Sequence, residues 1–349
     1  MPGARRPAVR FPAEWEPHEA TWLAWPHDPI TFPDLPPVER AWAEMIVHLT
    51  KGEAVHLLLR DDGEEARMRD LLAGRHDPKR LFLHRHETVD VWIRDYGPLF
   101  VETADGLRIL DFRFNAWGGK YPDLARDDRM PEFAAERLGL PLEKPDLVLE
   151  GGSVDFDGEG TVLTTEQCLL HPSRNPSLDR DGVEAALREW LGAERVIWLG
   201  RGIEGDDTDG HVDDIVRFIG PATVVACVET DLADPNCAIL AENLARLRIA
   251  RDARGRPIEV FPLPMPEPLE EENPVPGHEA LRAPASYANF YIGNACVLVP
   301  TFGQESDGVS LGILERLFPG RAVVGIDCRA VVGGNGAVHC VTQQQPRGR

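Results

Sequence analysis

Hydrophobic positions recur along this chain with two periods, and the two alternate. Within residues 36–50, Val38, Trp42, Met45, Ile46 and Leu49 repeat every three to four residues and so share one helical face. AVHLLLR (54–60) follows as an unbroken apolar run, the signature of a strand covered on both faces. EEARMRDLLAG (64–74) reads as a short helix closed by glycine, and RLFLHRHE (80–87) as a second strand. The alternation then returns three times: helix 177–192 before strand RVIWLG, helix 235–254 before strand IEVFPL, and helix 307–318 before strand AVVGID. Between them lie the hairpin patterns DGLRILDFRF and DIVRFIGPATVVACV, the second with a Gly220-Pro221 turn.

Polar, glycine-containing motifs stand beside these hairpins. They are WIRDYGP near 95, EGGS near 150, TDGHVD near 211, SYANFYIGN near 290 and GGNGAVHC near 340. Gaps of about 50 to 80 residues, close to a fifth of the chain, suit supersecondary units around a centre, each aiming one loop inward. A doubly wound open sheet competes with this reading, but no G-x-G-x-x-G follows a first strand. The proline-rich segment 265–285 is expected to be an ordered surface loop serving as rim or lid.

Composition narrows the partners. The chain has 349 residues, 43% of them hydrophobic, and is read as one domain over 1–349. Its 37 basic against 58 acidic residues give a net charge of −21. That argues against nucleic acid or an anionic membrane as main partner, and would concentrate a cationic small molecule. Plain solubility explains the surplus equally well. Six cysteines form no C-x-x-C pair, so a structural zinc site is not expected. With neither a signal peptide nor a membrane span in view, a cytoplasmic setting with free thiols follows. A homo-oligomer is compatible with all of this.

The densest charge lies in DDTDGHVDDI (206–215): five aspartates, one histidine and no basic residue. A metal ion, solvent counter-ions or a cationic substrate could each answer it. An EF-hand fails, because from Asp207 the sixth loop position is Val212 and the twelfth Phe218, neither the required glycine nor glutamate. His211 and Asp213 would face one side of a strand. One histidine and one carboxylate do not make a transition-metal site, and H-E-x-x-H is absent. A metal site is thus possible but unsupported. Asp95 sits between an arginine and an aromatic-glycine-proline turn, where capping backbone amides is the plainer role. Glu150 projects from the end of the apolar run DLVLE into a glycine loop. Cys340 follows a glycine loop, unlike the other five cysteines, which read as small buried hydrophobes.

Together these residues carry a resemblance. FPAEWEPHEATWLAWP, VWIRDYGPLFV, FNAWGGKY, EGGSVDFDGEGTVLTTEQCLL, DTDGHVDD and HCVTQQQP, in that order over roughly 11–346, resemble the agmatine deiminase family of guanidine-modifying enzymes. The resemblance implies a pentein fold, a five-bladed α/β propeller of ββαβ-like modules with pseudo-fivefold symmetry. It implies Cys340 as nucleophile and His211 as general acid/base. Asp95 and Asp213 would grip the guanidinium, with Glu150 supporting His211 and that site. Trp92 and Trp117 would line the apolar part of the pocket, and Asp206, Asp207 and Asp214 would be solvated or cap the turn. The implied reaction is hydrolysis of agmatine to N-carbamoylputrescine and ammonia through a cysteine thiouronium, with no metal and no organic cofactor.

One segment departs from the family. After the first WP, members carry an arginine-proline-aspartate-asparagine-tryptophan-arginine stretch, whereas this chain reads HDPITFPDLPP. That leaves open which residues meet the substrate's far end. The rival readings are deimination of another guanidine (peptidyl-arginine or an N-substituted agmatine), an amidinotransferase, and a polyamine-binding protein without catalysis.

Overall fold

The computed structural model describes residues 8–270 and 282–348, so most of the loop expected at 265–285 lies outside the described residues. Its strands are β1 (His18–Ala24), β2 (Ala54–Leu59), β3 (Leu81–Arg85), β4 (Leu99–Thr103), β5 (Gly106–Leu110), β6 (Leu142–Glu143), β7 (Asp155–Phe156) and β8 (Thr161–Thr165). They continue as β9 (Arg195–Leu199), β10 (Val216–Gly220), β11 (Thr223–Val228), β12 (Glu259–Pro264), β13 (Tyr291–Ile292), β14 (Cys296–Thr301), β15 (Ala322–Asp327) and β16 (Gln343–Pro346).

These strands form five separate sheets, ordered β4-β5-β6, β7-β8-β9, β10-β11-β12, β13-β14-β15 and β16-β1-β2-β3. Every sheet repeats one plan. An antiparallel pair is followed by a helical crossover to a parallel strand, as in β13·β14 and β14·β15. The fifth sheet joins the two ends of the chain: β16 lies antiparallel to β1, and β1 parallel to β2. The α/β class and the repeated ββαβ-like module expected from the sequence are thus present.

The apolar stripe of helix Leu35–Leu49 is the core face, with Val38, Trp42, Met45, Ile46 and Leu49 all buried. Each such side chain contributes on the order of 1.5 to 3 kcal/mol of transfer free energy. The Trp42 indole N–H reaches the Ala24 carbonyl at 2.7 Å, so the helix is tied to β1 as well as packed on it. The central strand β14 is buried from Cys296 to Pro300, matching its continuous apolar run. Among the described residues no helix is long and apolar enough to cross a membrane.

Two differences from the sequence reading have local causes. The helix expected over 235–254 ends at Ile249. Beyond it the Asp252 carboxylate accepts the backbone N–H groups of Arg254 and Arg256, and Gly255 takes φ +81°, a turn chemistry that outcompetes the helix. Strand β16 is glutamine-rich yet buried, because its polar groups find partners: Trp22 Nε1 donates to Gln345 Oε1 at 3.1 Å and Arg94 to Gln344 Oε1 at 2.6 Å.

Candidate active site

The residue ahead of each module's first strand points to one centre. Asp95 precedes β4, Glu150 precedes β7, His211 and Asp213 precede β10, Asn289 precedes β13 and Cys340 precedes β16. Repetition of the module therefore explains the motif spacing, since each polar motif is the entry to a hairpin. All are buried; Cys340 is 7% exposed, and Glu150 and Asp213 are 0%.

Asp95 lies in the single turn Ile93–Tyr96, which is stapled to the cysteine loop. Arg94 N donates to the Cys340 carbonyl at 3.1 Å, and its side chain reaches the His339 carbonyl at 3.3 Å. One Asp95 oxygen accepts Gly152 N and the other the Trp117 indole N–H, each at 2.9 Å. Trp117 holds φ 53°, ψ 51°, a left-handed conformation costly for a bulky residue and found where surroundings enforce it. Gly152 must lack a side chain: a Cβ there would stand 2.6 Å from His211 Nδ1 and 2.9 Å from Asp95 Oδ1.

His211 Nδ1 stands 3.7 Å from Asp95 Oδ1. Burial pushes the Asp95 carboxyl up to about 6, against the pull of His211. For His211 burial opposes the charged ring, but Asp95, the Cys168 sulfur and Asp213 outweigh it and hold its proton well above the usual histidine range. Above pH of about 6 the pair is imidazolium and carboxylate. Glu150 receives Arg174 Nε at 2.8 Å on Oε1, while Oε2 is buried without a hydrogen-bond partner among the described residues. Asp213 Oδ2 takes His339 Nδ1 at 2.6 Å, and Asp213 Oδ1 is likewise buried and unpartnered.

Cys340 Sγ receives Asn289 Nδ2 at 3.1 Å and lies 4.0 Å from Asp213 Oδ2. Burial first, then Asp213, Asp214 and Asp95, push its thiol well above the usual cysteine range. Sequence reasoning gave Asn289 no role, although SYANFYIGN occupied the right place ahead of a hairpin.

The aspartate run resolves residue by residue. Asp206 caps the turn, accepting His211 N and Thr208 N at 2.9 and 2.8 Å. Asp209 pairs with Lys120 and with Arg174. Asp207 accepts the Tyr121 hydroxyl at 2.6 Å. Asp214 corrects the expectation of a solvated or capping group: it is buried, accepts Asn289 Nδ2 at 2.9 Å, and burial with Asp213 and Asp206 pushes its carboxyl well up.

Two groups of potential metal donors are also brought together. Glu150, Cys168 and His211 bring three donor atoms within 4.8 Å of one another, a set that spacing could not reveal. Arg174 already supplies a cation to Glu150 there. The second such group, Asp157, Glu159 and Asp252, is crossed by the Arg256 guanidinium, which pairs with Glu159 and Asp252.

A cavity of about 250 Å³ reaches this centre and is lined by Cys340 and Asp95 together with Trp92 and Trp117. Asp28, Ile30 and Thr31, from the departing HDPITFPD segment, line it as well. A buried cysteine beside carboxylates with unpartnered oxygens is a site for a planar cation with several N–H donors. The comparisons with known proteins bear on that chemistry. The model of the Porphyromonas-type peptidyl-arginine deiminase family matches residues 10–346.

The chain belongs to this family. An agmatine deiminase of Stutzerimonas stutzeri (strain A1501) is 38% identical over 362 residues, covering 98% of this chain and 96% of the relative. The solved agmatine deiminase of Enterococcus faecalis superposes with a TM-score of 0.89 at 34% identity, over 97% of this chain and 96% of the other. A cysteine-to-serine variant of the C. jejuni agmatine deiminase with substrate bound gives a TM-score of 0.87 at 30% identity, over 100% and 99% of the two chains.

Proposed function

We propose that this protein hydrolyses agmatine to N-carbamoylputrescine and ammonia through a covalent intermediate on Cys340. The observation that carries the reading is a buried, unpartnered oxygen, Asp213 Oδ1, on the carboxylate whose Oδ2 lies 4.0 Å from the Cys340 sulfur; Glu150 Oε2, in the cluster with His211, is a second such oxygen. Buried acceptors without donors are costly, and a guanidinium supplies five N–H donors in a plane.

Asp95 and Asp213 pair with that plane and fix the carbon in front of the sulfur. The thiol loses its proton to bulk water as the cation binds, the proton that ammonia later takes up in solution, and the thiolate adds to the guanidinium carbon. His211, protonated beside Asp95, gives its proton to one amino nitrogen, and the C–N bond breaks to release ammonia. The carbon remains on sulfur as a thiouronium. The now neutral His211 takes a proton from water as its oxygen adds to that carbon; the C–S bond then breaks as the remaining hydroxyl proton passes to the sulfur, and the neutral ureido product leaves with the Cys340 thiol and the His211 imidazolium restored.

The cavity supports agmatine over arginine. Trp92, Trp117 and Leu124 offer apolar wall to a methylene chain. Besides Asp95, the lining holds Asp28, Asp90, Asp123 and Asp207 against the single Arg126, an environment for an ammonium and against an α-carboxylate. This is the proposed reading of the HDPITFPD segment. Ammonia release from agmatine, arginine, peptidyl-arginine and N-substituted agmatines tests it. Agmatine should give the highest kcat/KM; arginine or peptidyl-arginine processed at least as fast would overturn the substrate, and amidino transfer to an added amine would overturn the reaction.

A further inference from the structure

His339 precedes the nucleophile in sequence, and the mechanism above leaves it without a task. Its ring is 2% exposed and lies between two buried carboxylates. Nδ1 meets Asp213 Oδ2 at 2.6 Å and Nε2 meets Glu14 Oε2 at 2.8 Å. Glu14 in turn lies 2.8 Å from Arg217 and 3.4 Å from Arg94, and accepts Ile292 N at 2.8 Å. Burial works against charge on both carboxyls. Apart from His339, the cations facing Glu14 are Arg217 and Arg94, and those facing Asp213 are His211 and Arg217, so each carboxylate has a positive partner of its own. Two ionised carboxylates only accept hydrogen bonds, so both ring nitrogens must donate.

We propose that His339 is a positioning residue, a doubly protonated imidazolium that ties Asp213 Oδ2 to Glu14 and leaves Asp213 Oδ1 free and ionised for the guanidinium. The inference rests on the reading that Asp213 pairs with substrate. Because both nitrogens are occupied, the histidine adjacent to Cys340 is not the base that takes the thiol proton. The charges alternate along the chain: Asp213 negative, His339 positive, Glu14 negative, Arg217 and Arg94 positive. Asp213 also faces Cys340 from the His339 turn, His211 and Asp214 from its own turn, and Asp95 from the Ile93–Tyr96 turn. With Asp214 and Asp95 pressing its carboxyl upward, loss of the imidazolium removes a principal group holding it down.

Two measurements test this. In the unmodified enzyme labelled with ¹⁵N-histidine, His339 (assigned by its absence in H339N) should show both ring nitrogens protonated under the conditions of turnover. One unprotonated nitrogen under those conditions would overturn the proposal, whatever the substrate proves to be. In H339N the amide keeps a donor towards Asp213 but has no charge and does not reach Glu14. The acid limb of kcat/KM should move upward and steepen, as Asp213 joins Asp95 in titrating there, with activity recovering as pH rises. A folded H339N whose loss is uniform across pH, or whose profile is unchanged, would overturn it. Failure of unmodified enzyme to turn over agmatine would instead remove the functional reading, leaving the nitrogen measurement intact.

Discussion

The free enzyme should hold Cys340 as a neutral thiol, and a bound guanidinium should ionise it. The sulfur is buried, 4.0 Å from Asp213 Oδ2, with Asp214 and Asp95 adding to the negative field. A guanidinium paired to Asp213 would carry its charge about 6 Å or less from Sγ. At an effective dielectric of about 20, one unit charge at about 6 Å contributes about 3 kcal/mol, or roughly two pKa units. The perturbation is therefore addition of a non-reacting guanidine that leaves the sulfur accessible. The assay is thiolate ultraviolet absorbance against pH with and without that ligand, using C340S as the blank; iodoacetamide alkylation of Cys340 at neutral pH should be slow in the free enzyme. An apparent thiol pKa already low, and unmoved by the ligand, would refute the reasoning and favour a preformed ion pair with His211.

Other outcomes follow from the same geometry. D95N and D213N each remove one charge-assisted pair, worth about 1.5 to 3 kcal/mol, so steady-state kcat/KM should fall at least about tenfold; near-normal kinetics in both would show that neither grips substrate. Burial raises Asp95 to about 6, so kcat/KM of the free enzyme should fall as pH drops through about 6, where the carboxylate takes a proton. The sign for stability is opposite. A carboxyl raised in the fold contributes stability below its unfolded value of about 3.9 that is lost as pH rises through about 6, so a guanidine ligand should raise Tm more at pH of about 8 than at about 5. Exhaustive chelation should leave turnover unchanged, whereas loss restored by one divalent ion would assign Glu150, Cys168 and His211 to a metal.

The hairpin entries were legible because glycine-rich polar motifs interrupt apolar periodicity, and Asp95, Glu150, His211, Asp213 and Cys340 all sit in such interruptions. Roles that arise from pairing across the chain were not. Glu14 and His339 are 325 positions apart yet 2.8 Å apart in space, and Glu150 is partnered by an arginine in a stretch with no catalytic signature. Asp214 looked solvated because its neighbours are charged, but burial is set by the modules that close over it. The Asp252 turn cut a helix short for a local reason that periodicity does not register, and buried Gln343, Gln344 and Gln345 conceal a strand whose polar groups are satisfied only by distant partners.

The account turns on a bond between the substrate carbon and the Cys340 sulfur. Mixing enzyme with agmatine, quenching in acid within a turnover and mapping peptides by mass spectrometry tests that bond directly. The peptide holding Cys340 should carry the mass of agmatine less ammonia, decay as N-carbamoylputrescine appears, and show nothing in C340S, which should not turn over. Product formed with no adduct at Cys340, or by C340S, would contradict the account.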